Sequence, residues 1–145
     1  MTSSVVIDAS LAVFSVLNTP QSAVAARALE HLAQRGDVPC APGLWWFEVT
    51  SVIHRYCFAN LITEATAYQA LELLTAGLGV QQVDVSVRSA FDWATRLHQK
   101  AAYDGFYLAA AEHLGTELWT ADRALANNAQ QIGAIWVHWM GEIDG

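Results

Sequence analysis

The feature that most limits the folding of this chain is its alternation of short β-branched runs with helical stretches from end to end. "SVVID" (residues 4–8) is a strand ending in an acid, and from Ser10 "LAVFSVL" turns helical. Thr19 and Pro20 read as an N-cap with proline at the first helical position, opening the helix "QSAVAARALEHLAQR", which Gly36 stops. "VPCAP" (38–42) is proline-rich for a central strand, yet a brief strand there would separate two helices. "GLWWFEVTSVIHRYCFANL" is a helix apolar on nearly every side, so part of it should be buried by something other than its own sheet. Thr63 caps "EATAYQALELLTAGL", "VQQVDV" (80–85) alternates as a strand, and Ser86 caps "VRSAFDWATRLHQK". A helix around "YDGFYLAAA", a strand "TELWTA" (116–121), a helix "DRALANNAQQIG" and a last strand "AIWVHW" complete the pattern. Regular alternation without repeats or linkers predicts one α/β domain over residues 1–145 with a mainly parallel sheet.

Composition narrows the function classes. Hydrophobic residues make up 54% and charged residues 14%, which suits a packed core and leaves little for a disordered tail. No apolar run approaches the roughly 20 residues of a membrane span, and the first ten residues lack a signal-peptide pattern, so a cytoplasmic protein without a membrane partner is expected. Cys40 and Cys57 match no zinc spacing and read as small apolar residues. His31, His54, His98, His113 and His138 form no ligand pattern either. The net charge of −7, with Lys100 as the sole lysine, argues against a broad phosphate-gripping face.

The acids fall at telling places. Asp8 ends the first strand, Asp122 follows the fourth, Asp104 opens a helix, and Glu48 lies early on the apolar third helix. In a parallel α/β sheet the C-terminal strand ends share the edge where ligands collect, so Asp8 and Asp122 should face one crevice. Glu48, Ser51 and Arg55 form a polar stripe on their helix, which brings Arg55 toward the same place. Carboxylates gathered in one crevice raise each other's pKa unless a cation neutralises them, and oxygen ligands without His or Cys favour Mg²⁺ or Mn²⁺. Such a site suits phosphodiester chemistry. Each acid also has a plain second reading, as a helix cap for Asp8, Asp104 and Asp122 and as a surface residue for Glu48.

On "VVIDASLAV", "LWWFEVTSVI" and "AYDGFYLAAAEHLGTELWTADRALANNA", and on the order of its elements, the chain resembles the PIN-domain proteins, in particular the VapC-type toxin ribonucleases of toxin–antitoxin pairs. The resemblance implies a three-layer α/β/α fold around a five-stranded, mainly parallel sheet. It implies an endoribonuclease in which Asp8, Glu48, Asp104 and Asp122 bind one or two Mg²⁺ or Mn²⁺ ions and a metal-activated water cleaves RNA, whether tRNA, rRNA or mRNA. Ser10 and Thr120 would support the metal shell or the phosphate, and Arg55 would line the site or touch RNA. A homodimer and a cognate VapB-type antitoxin, with a basic side chain reaching the acids, are implied as well. Gly105 stands where the family commonly carries alanine or another small residue, a change expected to loosen the start of its helix while sparing the carboxylate of Asp104. Two competing readings are a PIN-fold binding module with little turnover and an aspartyl-nucleophile phosphatase; the latter usually wants a second acid two residues after the first, where Ser10 stands.

Overall fold

The computed structural model describes residues 3–144. Five strands, β1 (Ser4–Ile7), β2 (Val38–Pro42), β3 (Gln81–Val83), β4 (Leu118–Thr120) and β5 (Val137–Trp139), form one sheet in the order β3-β2-β1-β4-β5. Every strand pair is parallel, so the sheet is wholly rather than mainly parallel. Seven α-helices connect the strands among the described residues: α1 (Ala9–Val16), α2 (Ser22–Gln34), α3 (Leu44–Phe58), α4 (Glu64–Glu72), α5 (Val87–Arg96), α6 (Tyr103–Leu114) and α7 (Arg123–Gln131). Right-handed crossovers moving outward from β1 to β3 put α1–α4 on one face. Those returning through β4 to β5 put α5–α7 on the other, which gives the three-layer α/β/α arrangement.

The central strand β1 is buried along Val5, Val6 and Ile7, as expected of a strand covered on both faces. Leu11, Leu32, Trp45, Val49 and Ile53 pack in the same core as Leu108, Leu118 and Leu125. No described helix is long and apolar enough to cross a membrane.

Local chemistry explains most element ends. Asp8, Thr63, Ser86 and Asp122 each accept a backbone N–H three residues on and cap α1, α4, α5 and α7. The expected start of α2 is corrected: Gln21 is its N-cap, and Thr19 and Pro20 lie in the turn before it. The Ser22 hydroxyl accepts the Thr19 N–H and the Thr19 hydroxyl accepts the Gln21 N–H, so the hydroxyls shape the turn and the helix begins beyond it.

The prolines of β2 are reconciled with a central strand by where their missing donors fall. The Val38 N–H bonds Ser3 on the β1 side, and alternation turns Pro39 toward β3 and Pro42 toward β1. Pairing with β3 begins only at Cys40, and pairing with β1 ends at Cys40. Each proline therefore sits just outside the ladder it faces.

Gly105 also needs correction. A Cβ there would stand 2.2 Å from the Ala90 carbonyl oxygen, so this glycine allows α6 to approach the backbone of α5 instead of loosening its helix.

Candidate active site

The chain passes from β1 outward to β3 and resumes at β4 on the other side of β1, so the strand order reverses between β1 and β4. Open parallel sheets bind ligands at such a switch point, beyond the C-terminal strand ends. Ile7 pairs with Trp119, which places the next residues, Asp8 and Thr120, side by side at that mouth.

Asp8 is 5% exposed and Thr120 is fully buried. The Thr120 hydroxyl donates to Asp8 Oδ2, while Oδ1 accepts from the Ser10 hydroxyl at 2.8 Å and the Leu11 N–H at 3.0 Å. Thr120 Oγ1 accepts the Asp122 N–H at 2.9 Å, and Ser10 Oγ accepts the Ala121 N–H at 3.3 Å. The two hydroxyls thus fasten the β1–α1 corner to the β4–α7 corner. Burial pushes the Asp8 carboxyl up to about 6; the hydrogen bonds from Thr120, Leu11 and Ser10 act against this, and the charge of Asp104 adds to it.

The other acids arrive on separate elements. Glu48, half-buried on α3, accepts the Tyr107 hydroxyl at 2.6 Å. Its pKa is raised by burial, opposed by that bond, raised again by the Asp104 charge and lowered by Arg55, which places exposed Arg55 within electrostatic reach of the acids. Asp104 stands at the second position of α6. Ala102 is the N-cap, so the capping reading of Asp104 is corrected: its carboxylate accepts the Gln99 amide at 2.9 Å and lies in the first turn, where the helix dipole favours an anion. Burial raises its pKa, Gln99 opposes this and the charge of Asp122 adds to it. Asp122 is exposed and uses Oδ1 to cap α7 at the Leu125 N–H. Asp104 is therefore within electrostatic reach of each of the other three acids.

Two neighbours do not stand out in the sequence. Tyr107 reads there as one more apolar residue of its run, although a buried phenol needs a partner and Tyr107 lies one helical turn from Asp104. Gln99 falls at the end of an expected helix that stops instead at Arg96; His98 takes a left-handed φ of 57° and turns the chain.

Among the described residues, no three acid, histidine or cysteine side chains stand close enough together to hold a metal ion as they are. The donor chemistry nevertheless fits a hard divalent cation. All four groups offer oxygen, each carboxylate has four acceptor positions to share between hydrogen bonds and a cation, and the charged forms of Asp8, Glu48 and Asp104, disfavoured by burial and to a lesser extent by one another's charge, are what a cation stabilises.

The remaining cations are largely engaged elsewhere. Arg27 pairs with Asp144, Arg35 with Asp37 and Glu117, and Arg96 and Arg123 lie over Trp93 and Trp139.

A family model of the PIN domain matches residues 5–131 of the chain. The fold is similar to the crystal structure of PAE2754 from Pyrobaculum aerophilum, with a TM-score of 0.70 over 99% of this chain and 95% of that one, at 17% sequence identity. No curated protein matches the sequence.

Proposed function

Because the chain belongs to the PIN domain family, whose members are generally metal-dependent nucleases, we propose that it is a metal-dependent endoribonuclease of the VapC toxin type. The observation that carries this reading is the electrostatic linkage of Asp104 to Asp8, Glu48 and Asp122, acids from four separate parts of the chain, with Asp8 buried at the switch point of the sheet.

Asp8, Asp104, Asp122 and Glu48 would hold one or two Mg²⁺ or Mn²⁺ ions. Such an ion supplies a grip on a phosphate oxygen and a lowered pKa for a water. The residues around it have separable tasks. Ser10 and Thr120 fix both oxygens of Asp8, so the innermost carboxylate is preorganised. Arg55 counters the charge of Glu48 and offers a cation to an incoming RNA backbone. More than half of the net charge of −7 resides in these four acids, so cation loading removes much of the repulsion that RNA would meet.

The same acidity suits a VapB-type antitoxin whose basic side chain enters the crevice. Exposed Phe47, Phe58 and Tyr68 on α3 and α4 support protein contacts, with the antitoxin or a second copy in a homodimer. Such a system works in the cytoplasm. An aspartyl-nucleophile phosphatase is disfavoured because both Asp8 oxygens are held by donors in a buried setting and Ser10 occupies the place of the second acid.

The test is cleavage of a mixed pool of tRNA, rRNA and mRNA with Mg²⁺ or Mn²⁺, with chelator, and with Asp104→Asn. Loss of cleavage in the last two supports the reading. Activity that survives both overturns it.

A further inference from the structure

We propose that Tyr107 is the positioning residue of this site, holding Glu48 in the orientation that lets it share a cation with Asp8 and Asp104. The proposal rests on the metal-nuclease reading and concerns a residue that binds neither cation nor RNA itself.

The argument starts from mobility. Glu48 is half-buried on α3, and its flexible side chain could also swing outward to solvent or toward exposed Arg55. Tyr107 is 2% exposed, carries only two side-chain torsions and is packed among the core residues of α6. Its hydroxyl meets Glu48 Oε1 at 2.6 Å, a charge-assisted bond that selects one rotamer of the longer side chain. The Ala9 backbone, directly after Asp8, lies close enough to influence the same phenol electrostatically, so Tyr107 stands between Glu48 and the β1–α1 corner. Asp104 lies three residues earlier on α6, on the same helical face. A rigid group thus references three of the four acids to one another, the task that outer partners perform around metal ligands.

Mn²⁺ binding at neutral pH, followed by electron paramagnetic resonance of the free ion, tests this without requiring catalysis. The proteins are wild type, Asp8→Asn, Tyr107→Phe, Glu48→Gln and the Tyr107→Phe/Glu48→Gln pair. Tyr107→Phe keeps the ring and removes one oxygen, and is expected to weaken Mn²⁺ by about 10- to 100-fold. In the Glu48→Gln background it should change nothing further, because the carboxylate it acts through is gone. A merely structural effect on α6 would displace Asp104 and weaken binding in both backgrounds. Equal affinity of wild type and Tyr107→Phe, or an equal loss in both backgrounds, overturns the role of Tyr107 alone. Wild-type protein that takes up no Mn²⁺ sensitive to Asp8→Asn overturns the metal reading and this proposal together.

Discussion

The Thr120 hydroxyl donates to the carboxylate of Asp8 across the two strands where the sheet order reverses, and both side chains are buried. Thr120→Val keeps the shape and removes both this donor and the acceptor used by the Asp122 N–H. The variant should lose about 1–3 kcal/mol of stability, since buried polar partners are left unmade. Urea unfolding at neutral pH in chelator measures it. The Asp8 pKa should rise further, because Thr120 is the strongest of the bonds that hold it down.

Stability should depend on pH through Asp8 in a direction opposite to that of a salt-bridged acid. Its carboxyl titrates near 6 in the fold against an ordinary value of 3.8, so between these values the folded chain binds more protons than the unfolded one. The contribution is complete below about 3.8 and is lost as the pH rises through about 6. A shift of this size corresponds to about 3 kcal/mol. Glu48 and Asp104 are shifted in the same direction. In chelator, Asp8→Asn should therefore gain on wild type as the pH rises from about 4 to about 7, and paired urea midpoints across that range reveal it.

Divalent ions should reverse this penalty. Mn²⁺ at a hundred times its dissociation constant should stabilise the wild type by about 2.7 kcal/mol, seen as a rise in the thermal midpoint. Asp104→Asn should abolish most of that rise while leaving the metal-free midpoint near or above wild type, because it removes a carboxylate whose charge opposes Asp8 and Glu48. A full Mn²⁺ response in the variant would remove Asp104 from the site.

Gly105→Ala separates backbone propensity from packing. In an open helix the change would gain about 1 kcal/mol. Here the added carbon meets the Ala90 carbonyl oxygen at 2.2 Å and lies 3.1 Å from the Ala94 nitrogen, both rigid backbone atoms. Separating α5 from α6 should outweigh the propensity gain, for a net loss of about 1–3 kcal/mol by thermal or urea unfolding.

The strand and helix order was legible because each element carries its own period, and the caps at Asp8, Thr63, Ser86 and Asp122 carry their own signature. Acids at strand ends were legible because a parallel sheet sends those ends to one edge. The rest depends on distance in space. Tyr107 meets Glu48 across 59 positions of sequence, and Gly105 is required by a carbonyl on another helix. Thr19 and Pro20 misled because a turn and an N-cap use the same residue types, and tertiary placement decides between them.

The prolines of β2 bear on how the protein behaves at high concentration. β3 is a three-residue edge strand, and if it frays the newly bared side of β2 presents Ala41 as its sole ladder donor, because Pro39 has none to offer. A passing strand from another molecule would find too few bonds there to start a shared sheet. Pro39, one of the residues that make β2 hard to recognise in the sequence, thus leaves this side of the sheet a poor template for a further strand.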